Sequence, residues 1–192
     1  MKVLLINGSP RERGNTYIAL SEVAHSLQEE GIESEIIWIG NRPVRGCIAC
    51  NSCRSGQPHP DGHTGCVFND DLCNIVGAKS KEADGFVFGS PVYYGQPNGS
   101  LLSLMQRLFY SHGDAFRGKP AAAITVCRRG GATAALQCLL MPMQILNMPI
   151  VTSQYWNFAL GREIGQIEKD AEGIQTMRTL GKNFSKLLKG LK

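Results

Sequence analysis

Short apolar, β-branched runs alternate along the chain with stretches of helical periodicity. Residues 2–7, 33–39, 85–89, 121–126 and 149–153 read as strands, each four to eight residues long or close to it and bounded by turn formers. Between them Tyr17, Leu20, Ala24 and Leu27 mark one amphipathic helical face, and Leu101, Leu104, Met105 and Leu108 a second. A third helix is expected over 134–146, interrupted by Pro142, and a shorter one after Asp70-Asp71, where acidic residues suit a helix start. At the end of the chain Ile174, Met177, Phe184 and Leu188 recur opposite Arg178, Lys182, Lys186 and Lys189, the pattern of a last helix with one solvated, cationic face. Strands and helices in alternation predict an α/β fold: a parallel sheet with helices on both faces, in a single domain spanning 1–192 without internal repeats.

Composition narrows the setting. A chain of 192 residues can bury a full core without disulfides or metal. It holds no apolar stretch long enough to span a bilayer, and it opens on a core strand with no signal-peptide hydrophobic region, so a cytoplasmic protein is expected. The net charge of +4 is modest and much of the excess sits on the last helix, with no aromatic residues between the charges. Neither nucleic acid nor a membrane surface is therefore expected as a partner.

In sheets of this kind ligands bind at the carboxyl ends of the strands, where the strand order reverses. Three strand ends carry unusual loops. The first, Asn7-Gly8-Ser9-Pro10-Arg11-Glu12-Arg13-Gly14-Asn15-Thr16, leads from a buried strand into a helix. Hydroxyls of Ser9 and Thr16, the Arg11 guanidinium and the N–H groups of a helix start suit a single phosphate. The G-x-x-x-x-G-K-[ST] and G-x-G-x-x-G loops are both missing, as is the cysteine a phosphatase of this architecture needs here, which leaves a monophosphate held without metal. An ordinary turn capped by Asn15 or Thr16 is the plainer alternative. The second loop, Ser90-Pro91-Val92-Tyr93-Tyr94-Gly95-Gln96-Pro97, is stiffened by proline and offers two aromatics to a planar ring. The third, Cys127-Arg128-Arg129-Gly130-Gly131, allows close backbone approach and brings positive charge. All three could touch one flavin.

Four segments, GSPRERGNT, SPVYYGQP, the helix end Gln106-Arg107-Leu108-Phe109-Tyr110 and GKPAAAITVCRRGG, give the chain its resemblance to the flavodoxin-like NAD(P)H-dependent FMN reductases. Within them it resembles the iron–sulfur flavoprotein branch, because Gly46-Cys47-Ile48-Ala49-Cys50-Asn51-Ser52-Cys53 follows the second strand. The resemblance implies a flavodoxin-like, doubly wound sheet of five parallel strands in the order 2-1-3-4-5, bound FMN, and a homodimer or homotetramer that sets a neighbouring subunit against the flavin. It implies that Ser9, Arg11, Asn15 and Thr16 hold the phosphate and that Pro91, Val92, Tyr93, Tyr94 and Gly95 line the ribityl chain and ring. Arg129, Gly130 and Gly131 would approach the ring. Electrons would pass from NAD(P)H or a protein donor through FMN to a small acceptor such as a quinone, or to an iron–sulfur cluster, with no protein acid or base required.

Four of the seven cysteines fall in one loop over 46–69. Cys47, Cys50 and Cys53 form a C-x-x-C-x-x-C run of the kind that collects ligands for a [4Fe–4S] cluster, with Cys66 as the candidate fourth. The twelve-residue insertion between Cys53 and Cys66 is longer than in the iron–sulfur branch. His59 and His63 in that insertion leave a mixed Cys/His zinc site open, and reduced thiols without a metal remain a third reading. Cys73, Cys127 and Cys138 read as small core residues, and His25 and His112 as surface groups. Two other functional classes compete: a non-enzymatic flavodoxin-type electron carrier, against which the net basic charge counts, and a metal-binding interaction module.

Overall fold

The computed structural model describes residues 1–191. Five parallel strands form its sheet: β1 (Lys2–Asn7), β2 (Glu33–Trp38), β3 (Gly85–Tyr93), β5 (Ala121–Cys127) and β6 (Phe158–Leu160), in the order β2-β1-β3-β5-β6. A two-residue strand, β4 (Gln96–Pro97), folds back antiparallel on the end of β3. With that hairpin strand set aside, the order is the 2-1-3-4-5 of the flavodoxin-like fold.

Helices cover both faces, as right-handed crossovers between parallel strands require. On one side α1 (Asn15–Glu29) and α5 (Ala171–Gly190) bury Leu20, Val23, Leu27, Met177, Leu180 and Phe184 against Val3, Leu5, Val87 and Ile124. On the other, α2 (Cys73–Ser80), α3 (Gly99–Ser111) and α4 (Ala132–Ile145) close over Leu4, Ile6, Phe86, Phe88 and Ala123. Alternate residues of one strand thus serve opposite cores, which is the period of two in a sheet buried on both faces. All four apolar positions expected on α3 are buried. Pro142 lies inside α4 and does not end it.

Three details depart from the sequence pattern. First, α1 is rotated: Ala19 and Val23 are buried beside Leu20 and Leu27, while Tyr17 and Ala24 sit at the border, because the helix packs on the sheet and on α5 together. Second, the cations of α5 do not all face solvent alone: Arg178 donates to Glu22 at 2.7 Å and Lys189 to Glu30 at 2.7 Å, tying α5 to α1. Third, the stretch expected as the last strand, 149–153, makes only a single bridge, Ile150 with Ala121, and the lasting ladder on β5 comes later, at Phe158–Leu160. Residues 152–157 loop out between the two, and the buried Asn157 side chain fills in for the ladder, donating to the Val151 carbonyl at 3.3 Å and accepting from Ser153 N–H at 3.1 Å. Among the described residues no helix is long and apolar enough to cross a membrane.

Candidate active site

The chain reverses direction across the sheet between β1 and β3, so the loops leaving these two strands diverge and open a cleft at the carboxyl edge. The loop after β1 is fixed from several sides. Gly8 N–H donates to the Gly89 carbonyl at 2.8 Å, the buried Asn7 side chain donates to the Glu12 carbonyl at 2.9 Å and accepts from Ser9 N–H, and the Trp38 indole donates to the Ser9 carbonyl at 2.7 Å. A Cβ on Gly8 would lie 2.8 Å from the Gly89 carbonyl oxygen and 2.7 Å from Leu101, so only glycine fits between the strand end and α3. The helix this loop feeds, α1, starts without a capping side chain and without an acidic residue in its first turn. Its first N–H groups and the positive end of its dipole are left for an external anion.

A cleft of ≈ 190 Å³ lies at that point. Ser9, Arg11, Asn15 and Thr16 form one wall, and Pro91, Val92 and Tyr93 from the end of β3 another. Arg128 and Arg162 complete it, and no carboxylate lines it. Asn15 has a distinct place here: its amide donates to the Glu163 carbonyl at 2.8 Å and accepts from Gly165 N–H at 2.9 Å, clasping the loop that carries Arg162 to the mouth of the cleft. Tyr94 and Gly95 do not line the cleft; they form the two-residue turn of the β3–β4 hairpin, with φ of 51° and 78°. That is the type I′ geometry whose twist suits a tight hairpin. Gly131, at φ 82°, packs against this turn so closely that a Cβ would meet Gly95 Cα at 2.8 Å. Arg129, Gly130 and Gly131 are exposed and do not line the cleft, and the wall residue from this loop is Arg128. Arg162 had no sequence signal, because the strand before it, β6, is too short to show a period.

The cysteine loop lies elsewhere, against the last turns of α3. Cys47, Cys50, Cys53 and Cys66 border one small cavity, walled by Ile48, Val67 and Phe68. Cys47 and Cys50 are exposed, Cys53 is half-buried and Cys66 is buried. Hydrogen bonding from Ser52 holds the Cys50 thiol below the ordinary thiol range, and burial pushes Cys53 up and Cys73 up to about 12. The Cys66 backbone is held by Asn74, which accepts from its N–H at 2.8 Å and donates to its carbonyl at 2.9 Å. Arg107, buried on α3, donates through Nε to Cys66 Sγ at 3.1 Å and pairs with Asp71.

His59 and His63 stack with ring centroids 4.3 Å apart, and Nε2 of each bonds a backbone carbonyl, of Gly65 and Cys66 respectively. Among the described residues no three His, Cys, Asp or Glu side chains are gathered as ligands of a single metal ion. The histidines serve the loop backbone. The four cysteines share the lining of one small, mostly apolar cavity, and sulfur is the donor type that iron–sulfur and zinc sites both use.

Comparison with known proteins bears on the family and the fold. Residues 1–163 match the family described as NADPH-dependent FMN reductase. An iron–sulfur flavoprotein of Methanocaldococcus jannaschii is 35% identical over 200 residues, covering 100% of each chain. Among solved structures, RosB with a bound 8-demethyl-8-formylriboflavin-5'-phosphate superposes with a TM-score of 0.77 at 17% identity, covering 100% of this chain and 80% of its own. A flavodoxin from the domain Archaea does so with a TM-score of 0.64 at 15% identity, covering 98% and 99%. The chain is a flavin oxidoreductase that belongs to the NADPH-dependent FMN reductase family, in its iron–sulfur flavoprotein branch.

Proposed function

We propose that this protein takes electrons from NAD(P)H or a protein donor into FMN and passes them to a small acceptor such as a quinone, or to a [4Fe–4S] cluster on Cys47, Cys50, Cys53 and Cys66. The observation that carries the flavin part is the uncapped start of α1, open to a cleft lined by Arg11, Arg128 and Arg162 and free of carboxylates. Such a site selects a dianionic phosphate by charge and by N–H geometry, with no need of a metal. Bound there, FMN supplies the hydride and electron chemistry that no protein side chain can.

The residues of the chain bind and orient. Ser9, Arg11 and Thr16 take the phosphate, and Asn15 acts one step removed, by holding the 163–165 loop and with it Arg162. Pro91, Val92 and Tyr93 line the path of the ribityl chain, and Tyr94, Gly95 and Arg129 to Gly131, outside the cleft lining, border the ring. Positioning of a donor over the ring is the main contribution this leaves to the protein.

Two ends of α3 bear on the oligomer. Asn98, at its start, donates from its backbone to Ser90 Oγ of the flavin loop at 2.8 Å, while Arg107, Tyr110 and Ser111, in its last turns, border the four-cysteine cavity. At 1.5 Å per residue these places are roughly 15 Å apart along the helix. A homodimer or homotetramer in which one subunit's cysteines face another's flavin would shorten that gap. One such assembly of a single domain, 1–192, is the form proposed here.

Anaerobic purification with flavin, iron and sulfide analysis, followed by addition of NADH or NADPH, tests the reading. Bleaching of the flavin absorbance is expected. A yellow protein that neither nicotinamide bleaches removes the nicotinamide donor and leaves a protein donor, and one without flavin overturns the reading.

A further inference from the structure

Arg107 is the largest fully buried side chain of the protein, at 1% exposure, and it stands on the apolar face of α3 between Leu104 and Leu108. A buried guanidinium costs several kcal/mol unless it is paired and its hydrogen bonds are made. Burial works against its charge, and Asp71 and Cys66 more than offset this, so that its pKa is held above the ordinary arginine value. Its partners are instructive. Nη1 reaches the Arg45 carbonyl at 3.3 Å and the Asp71 carboxylate, and Nη2 reaches the Phe68 carbonyl at 3.0 Å. Arg45 lies two positions before Cys47, and Phe68 two after Cys66, so one side chain fastens both ends of the cysteine loop to α3. Nε–H goes to Cys66 Sγ at 3.1 Å.

A neutral thiol is a weak acceptor, and a fully buried guanidinium aimed at one would be poorly satisfied. A sulfur that carries negative charge, as a cysteine bound to iron does, satisfies it well. The surroundings favour a strong interaction. Phe68 lies under both Arg107 and Arg45, with the guanidinium carbons 5.3 Å and 4.8 Å from the ring centroid, and Cys66 is the most buried of the four cysteines. Hydrogen bonds to cluster sulfurs and the charge nearby are among the levers that set the potential of an iron–sulfur centre.

We propose that Arg107 is the positioning residue of the cysteine centre, holding Cys66 in place across the long insertion and raising the centre's midpoint potential through its Nε–H to Sγ hydrogen bond. This rests on the reading that Cys47, Cys50, Cys53 and Cys66 hold a [4Fe–4S] cluster. Lysine at this position keeps a cation beside Asp71 but has no donor in the place of Nε.

The test is an anaerobic redox titration of the full chain, reconstituted with ferrous iron and sulfide and followed by EPR, with FMN content as the measure of folding. In Arg107→Lys we expect unchanged FMN and a more negative cluster midpoint potential. At the wild-type midpoint the ratio of reduced to oxidised centre should fall at least about threefold. An unchanged potential in the flavin-loaded variant overturns the proposal. Should Arg107→Lys lose its flavin, and so its fold, the wild-type protein labelled with 15N-arginine decides. Pulsed EPR of the reduced centre is expected to show a 15N coupling, and its absence overturns the proposal. A wild-type chain that takes up no iron or sulfide overturns the cluster reading itself, and this shows in the metal analysis and not in the potential.

Discussion

The flavin cleft and the cysteine loop are built in opposite ways. The loops that wall the cleft leave strand ends whose positions the sheet register dictates: Asn7 is paired with Gly89, Pro91 with Val126, and Cys127 with Leu160. The cysteine loop has no strand. Its regular structure is one 3-10 turn at Ser52–Arg54, and Ala49 and Asn51 beside it take left-handed backbone angles, with φ of 54° and 59°. What holds it are side chains from elsewhere, Arg107 and Asn74. A phosphate has one shape and one charge, so a rigid backbone can be prepared for it in advance. The cysteine loop has no register of its own to set its path, and Asn74 and Arg107 from the neighbouring helices fix it at Cys66.

The contrast breaks most plainly at Gly8. A valine there would drive its side chain into the Gly89 carbonyl and Leu101. We expect Gly8→Val to cost about 3 kcal/mol in urea unfolding, at the upper end of over-packing effects, and to purify without flavin. A flavin-replete variant of wild-type stability would show that the loop after β1 is not held by the sheet.

The cleft was largely legible before the structure because its chemistry sits at strand ends, and strand ends show in the hydrophobic pattern. Ser9, Arg11, Thr16 and Pro91 to Tyr93 come together because β1 and β3 are neighbours, an order that the resemblance to the flavodoxin-like family implies and that the alternation of strands and helices alone does not. Arg162 was not legible, since it follows a split strand whose Asn157 replaces ladder bonds that no periodicity could announce. The cysteines were legible as chemistry, by spacing, but their tethers were not. Arg107 falls on an apolar stripe where a charge reads as an interruption. Only an arginine on a buried face in a chain with an unpaired cysteine loop could have drawn attention to it.

Arg11→Ala sharpens the comparison from the phosphate side. Loss of one charge-assisted hydrogen bond is expected to weaken FMN binding by about 1.5–3 kcal/mol, measured by fluorescence titration of the apoprotein, while iron content stays at the wild-type level. Unchanged FMN affinity would mean that Arg11 does not hold the phosphate. On the cysteine side, replacing residues 56–63 by Gly-Ser shortens an exposed excursion whose closure entropy is small, so global stability should move by less than about 1 kcal/mol and flavin content not at all. A larger loss would make the insertion part of the core.

The smallest effect lies at the far edge of the sheet, where Glu35 of β2 accepts from Lys79 of α2 at 2.5 Å and pairs with Lys2 at 3.0 Å. The Lys79 hydrogen bond first, and Lys2 after it, hold the Glu35 carboxyl below the usual carboxylate range against the opposing effect of burial. A depressed folded pKa means that the stabilisation is present above the unfolded value, near 4.5, and is lost as pH falls through the folded one. The pair is about one-third exposed, so solvent screening keeps its worth below roughly 1 kcal/mol. Glu35→Gln should therefore lower stability slightly at pH 7 and converge with the wild type as the pH falls through the lowered folded value, by urea unfolding. Because α2 also carries Asn74, which grips Cys66, the same variant separates the two regions: any change in cofactor content should appear as iron lost from the cysteine loop, with the flavin, held by β1, β3 and α1, left in place.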